Sequence, residues 1–166
     1  LAIPNIPPPL RKSEEDWRAR VGEILEIAKK VKQAGFKFHY HNHTVEFTVK
    51  VDDVDVHDFI FNTIPAELLN AELDTCFIKK AGKDPFEYIC RYADRMQLLH
   101  VKEAHQDTDK VDTYLGNGTV DWPAVFAAVE ESQVEWLILE QGDHESDAFD
   151  SMRKSWSFLA SYEIVE

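Results

Sequence analysis

The chain has 166 residues, of which 44% are apolar, and this suits one domain of ordinary size with a full hydrophobic core. Its 31 acidic against 18 basic residues give a net charge of −13, which excludes a general nucleic-acid binder and disfavours an anionic membrane surface. Two cysteines, Cys76 and Cys90, without a CxxC pair exclude a disulfide framework and a thiolate zinc site, and no apolar run is long enough to span a bilayer.

In chain order, the opening LAIP reads as a strand end, and Pro7-Pro8-Pro9 then forbids regular structure. Ser13 followed by Glu14, Glu15 and Asp16 is a helix start, with a cap and acids in the first turn. Trp17, Val21, Ile24, Leu25, Ala28 and Val31 recur at helical spacing until Gly35. Residues 36–43 (FKFHYHNH) read as a strand, with Phe36, Phe38 and Tyr40 alternating against His39, His41 and His43. A short helix is expected near Val56 to Thr63, then a strand at 71–75 (AELDT). Asp84 before Pro85 marks a second helix start, and QLLHVKE at 97–103 a strand. Asp121-Trp122-Pro123 opens a helix through Glu131, WLILEQ at 136–141 is a strand, and Ser146 is expected to cap a last helix through Ser161. Strand and helix thus alternate four times, which implies parallel strands with helical crossovers. No repeat, low-complexity tract or interdomain linker interrupts the pattern, so residues 1–166 read as one domain.

Each strand ends in titratable residues: His41 and His43, then Asp74, then His100 with Lys102, then Glu140. Alternate side chains share a strand face, so Glu72 lies with Asp74 and His100 with Lys102. In parallel α/β folds the C-terminal strand ends form one rim, and active sites sit there. A rim of His, Asp, His and Glu suits a divalent metal such as Mn, Co or Zn, and carboxylate with water suits Mg. Read singly, the same residues are ordinary: a hydrogen-bonded histidine, an Asp capping a turn, a solvated glutamate, a lysine reaching for water.

Five segments in order carry a resemblance: YHNHTVEF at 40–47, LDTCF at 73–77 with Ala81-Gly82 and Asp84-Pro85, HVKE at 100–103, GNGTVDW at 116–122, and Glu140-Gln141. Together they resemble the sugar phosphate isomerase/epimerase branch of the xylose isomerase-like superfamily. The resemblance implies the C-terminal half of a (β/α)8 TIM barrel, with residues 36–43, 71–75, 97–103 and 136–141 as strands five to eight. A whole barrel of this class needs about 250 residues. It follows as an expectation that open strand edges and large apolar residues (Phe36, Phe38, Phe47) are covered by a second copy, as a homodimer, or by the missing N-terminal half. The compartment expected is the cytoplasm.

The resemblance also implies chemistry. Epimerases of this kind hold a metal with Glu, Asp, His and Glu, and Asp74, His100 and Glu140 match three of these. At the first position stands His41; Glu46, beyond the strand, is the other candidate. Glu140 matches a catalytic base, with Glu46, His43 or Lys102 serving as its partner acid, base or oxyanion group. Phe77 and Glu103 stand where the family often has Trp and Asp. The implied reaction is isomerisation or epimerisation of a sugar or sugar phosphate by proton transfer through an enediolate, with a small sugar or polyol as substrate. A lyase of the inosose dehydratase kind shares the first step, and a non-catalytic half-barrel that dimerises is the reading from outside enzymology. An endonuclease of the same fold needs more ligands than this rim carries.

Overall fold

The computed structural model describes residues 1–106, 113–142 and 147–162, and the chain divides into two compact units, Leu1–Glu72 and Leu73–Glu166. Among the described residues, no helix is long and apolar enough to cross a membrane.

In the first unit, strand β1 (Ala2–Ile3) leads through a 3-10 turn at Pro8–Leu10 into helix α1 (Glu14–Gln33). The three prolines thus permit one tight turn, because their fixed φ is compatible with 3-10 geometry. Helix α1 starts where expected. The Ser13 hydroxyl accepts from the Asp16 N–H and the Asp16 carboxylate accepts from the Ser13 N–H, a reciprocal capping box. Its stripe of Trp17, Val21, Ile24 and Ala28 is buried, as the spacing requires.

Strand β2 (His39–His41) is shorter than the 36–43 expected, and Phe36 is exposed. All three of its residues are buried. It is a parallel strand between parallel neighbours, so both of its faces are covered and the expected division into an apolar and a histidine face does not appear. It pairs with β1 (Ala2 opposite His39) and with β5 (Asn70–Asp74), where His41 lies opposite Glu72.

A short helix α2 (Val45–Thr48) and a two-stranded hairpin follow, β3 (Lys50–Val51) against β4 (Val54–Asp55). Asp52 and Asp53 both take positive φ at the hairpin turn, which aspartate tolerates better than most residues. Helix α3 (Val56–Thr63) matches its expected bounds. Phe38 and Phe47 are buried within this unit.

In the second unit, the end of β5 passes directly into helix α4 (Thr75–Lys80), so Thr75 opens a helix where the strand was expected to end. Helix α5 (Pro85–Tyr92) is capped by Asp84, whose carboxylate accepts from the Phe86 N–H. Strands β6 (Met96–Val101) and β7 (Trp136–Leu139) pair in parallel with His100 opposite Ile138, and helix α6 (Trp122–Glu130) lies between them in sequence, capped by Asp121. Helix α7 (Ala148–Ala160) is capped by Asp147, whose carboxylate accepts from the Phe149 and Asp150 N–H groups. Ser146, expected in that role, lies outside the described residues. The alternation of parallel strands and helices is that of an α/β fold.

Candidate metal centre at the strand ends of the second unit

Asp74 is the last residue of β5, His100 is the penultimate residue of β6, Lys102 follows β6, and Glu140 follows β7. One ligand atom each of Asp74, His100 and Glu140 lies within 4.8 Å of the others. Strand ends put them there: parallel strands in register deliver their C-terminal residues to one side.

Glu140 faces two cationic or hydrogen-bonding groups. Its Oε2 lies 2.7 Å from Nδ1 of His100, and its Oε1 accepts from Nζ of Lys102 at 2.9 Å. The hydrogen bond with His100, seconded by Lys102, holds the Glu140 carboxyl at about 2, against partial burial. Asp74 is fully buried. Burial pushes its carboxyl up to about 7, although Lys102 and the Phe77 N–H pull it down. Its Oδ1 accepts that N–H at 3.1 Å, so Asp74 caps α4 as well as joining the cluster.

Lys102 is buried, with its ammonium 4.8 Å from the centre of the Phe77 ring. Its backbone is fixed by Thr75, whose hydroxyl accepts from the Lys102 N–H at 3.0 Å and donates to the Lys102 carbonyl at 2.7 Å. Sequence reasoning missed Thr75, because nothing local marks a hydroxyl that stands in for a strand neighbour.

Next in the chain, Glu103 is buried and takes four donors. Oε1 accepts from the Ala104 and Val120 N–H groups, and Oε2 accepts from the Gly116 N–H and from the Trp122 indole at 2.6 Å. The GNGTVDW segment is therefore wrapped around a carboxylate. A Cβ at Gly118 would run into the Ala104 carbonyl and the Glu103 side chain, and one at Gly116 (φ 82°) into the Phe158 ring. Ser155 of α7 accepts from the Leu115 N–H, and Gln141 donates to Ser151, so α7 is tied to this loop and to the end of β7.

The remaining sequence candidates lie in the first unit. His41 is buried on β2, its Nδ1 3.8 Å from Glu72 Oε1 and its ring edge-on to His43 at 5.1 Å. Glu46 is fully buried. Its oxygens accept from the Tyr40 hydroxyl at 2.9 Å and the His43 N–H at 2.8 Å, and Arg11 approaches to 3.9 Å. Burial pushes the Glu46 carboxyl up, and these contacts oppose the shift.

Two carboxylates and an imidazole converging within 4.8 Å are a donor set that fits a divalent cation. The fold and this cluster define an α/β protein with a candidate metal-ligating donor set at parallel strand ends. The chain belongs to the xylose isomerase-like TIM-barrel family, whose model it matches over residues 2–162. It is 25% identical over 147 residues to an inosose dehydratase of Geobacillus kaustophilus, covering 78% of this chain and 47% of that protein. A sugar phosphate isomerase/epimerase from Parabacteroides distasonis superposes with a TM-score of 0.78 at 22% identity, over 99% of this chain and 58% of the other. A probable 3-DHS dehydratase from Bacillus anthracis superposes with a TM-score of 0.72 at 16% identity, over 89% and 58%. These relatives are enzymes, and the chain spans about half the length of the curated relatives it matches. The structural likenesses establish the fold.

Proposed function

We propose that the protein is a divalent-metal-dependent isomerase or epimerase of a sugar or sugar phosphate, acting by proton transfer through an enediolate. The observation that carries this reading is the convergence of Asp74, His100 and Glu140 beside the buried Lys102 ammonium. Asp74, His100 and Glu140 are the proposed ligands, with His41 as the fourth. The engagement of both Glu46 oxygens with Tyr40 and His43 favours His41 over Glu46.

The chemistry supplied by a bound cation (Mn, Mg, Co or Zn) is Lewis-acid polarisation of the substrate carbonyl. Lys102, held between Glu140 and Phe77, offers a fixed positive charge to oxygen that becomes negative as the neighbouring proton leaves. Glu140 is ionised at neutral pH, as both a ligand and a proton acceptor must be. Its low pKa makes it a weak base while His100 and Lys102 hold it, so substrate that draws Lys102 away would strengthen it. His43 is the proposed second proton carrier, with Glu46 fixing its backbone.

A second reading is a dehydratase, which makes the same proton abstraction and then expels a β-hydroxyl. The inosose dehydratases among the relatives favour it. The half-barrel reading belongs to the same proposal: a second copy or further strands of a longer barrel would cover large exposed side chains such as Trp136 and Phe149.

The test is calorimetric titration with Mn2+, followed by incubation of the loaded protein with ketoses, their phosphates and inososes in D2O. Deuterium uptake beside the carbonyl supports proton abstraction, and appearance of enone absorbance assigns the lyase. Absence of Mn2+ binding sinks the proposal.

A further inference from the structure

The first unit contains a buried carboxylate that the reading above leaves unused. Glu72 lies opposite His41 in the parallel pairing of β2 and β5, and paired positions on neighbouring strands project to the same face. Both side chains are buried, and Glu72 Oε1 stands 3.8 Å from Nδ1 of His41. That is an ion-pair distance, longer than a hydrogen bond. The His43 ring stands edge-on to the His41 ring at 5.1 Å.

A neutral imidazole binds a metal through the nitrogen that lacks the proton, and the hydrogen bond made by the other nitrogen decides which one that is. A carboxylate facing Nδ1 favours a proton there and leaves the Nε2 lone pair available. We propose that Glu72 is the positioning residue for His41: it holds the Nδ1–H tautomer and ring orientation that present Nε2 as a metal ligand. This rests on the reading of His41 as a ligand. Glu72 also lies two residues before Asp74, at an alternate position on the same strand.

The experiment uses three variants of the full chain, Glu72→Leu, Glu72→Gln and His41→Gln, each first shown to be folded by circular dichroism. Two-bond 1H–15N correlation spectra of the metal-free protein at pH 8 report the His41 tautomer, and Mn2+ calorimetry reports affinity. The wild-type protein is expected to show the Nδ1–H form, and Glu72→Leu to shift toward Nε2–H with Mn2+ binding about 10- to 100-fold weaker. Glu72→Gln, which keeps an acceptor but loses the charge, is expected to fall between. An unchanged tautomer and affinity in folded Glu72→Leu overturns the proposal. So does a loss in Glu72→Gln as large as that in His41→Gln, which would make Glu72 itself a ligand. Undiminished Mn2+ binding by His41→Gln overturns the ligand reading instead, whatever the Glu72 variants do.

Discussion

Two glutamates flank the end of β6 in the second unit and are used in opposite ways. Glu103 is sealed from solvent and, among the described residues, accepts from neutral donors: its neighbour's Ala104 amide and, from residues 116–122, two backbone amides and an indole. Glu140 keeps more than a third of its side chain accessible, and its partners are a histidine and a lysine. A carboxylate surrounded by fixed neutral donors is a structural post, because each donor left unpaired would carry a desolvation cost. A carboxylate at a rim, beside titratable groups and another acid, can exchange its partners for a cation or a substrate.

Four measurements break or sharpen this comparison. The largest effect is expected from Glu103→Ala, which strands buried donors and should cost about 3–5 kcal/mol of stability in urea unfolding. Mn2+ affinity of the folded molecules should change far less; an equal loss of metal binding would erase the distinction between the two glutamates. Glu140→Gln is expected to do the reverse, weakening Mn2+ binding by about 100-fold with a smaller loss of stability than Glu103→Ala, since ligand loss should match or exceed the effect of losing a supporting partner. Next comes Gly118→Ala. Its new methyl meets the Ala104 carbonyl and the Glu103 carboxylate, and overpacking of this kind costs about 1–3 kcal/mol in the same unfolding assay.

The last measurement is of pH dependence, and the two acids give it opposite signs. Glu140 is held at about 2, below its ordinary 4.5, so its contribution to stability is present above 4.5 and is lost as pH falls toward 2. Asp74 is raised to about 7 from 3.8, so its contribution is present below 3.8 and is lost as pH rises through 7. Urea midpoints of the metal-free protein should therefore slope downward between pH 4 and 7 from Asp74, and Asp74→Asn should flatten that slope. Because the Asp74 proton must leave before a cation binds, Mn2+ affinity should rise by about tenfold per pH unit up to about 7 and then level.

The parts of the fold that were legible are those governed by neighbours in sequence. The Ser13, Asp84 and Asp121 caps and the stripe of α1 follow from interactions within four residues, and the structure has them where expected. The missed elements have weaker local signals. The β3–β4 hairpin turns on two aspartates without glycine, and α4 begins at Thr75 behind Asp74, whose role as a cap was visible but whose helix spans only six residues. The strand at 36–43 contracted to His39–His41, because pairing with β1 and β5 rather than alternation sets its length.

Sequence alone determined that strands and helices alternate, and that His, Asp and Glu stand at successive strand ends, because strand period and helix capping are short-range physics. Only the tertiary structure decided what each acid does. Asp74 and Glu140, both read as ligands, differ by burial and by their cationic neighbours. Glu103, read as a departure from a motif, proved to be the post around which the GNGTVDW loop is wound. Thr75 acquired its role through Lys102, a partner 27 residues away along the chain, and the role proposed for Glu72 rests on His41, opposite it on β2. Desolvation and hydrogen-bond partnership depend on what packs around a side chain, and residue identity and spacing do not carry that information.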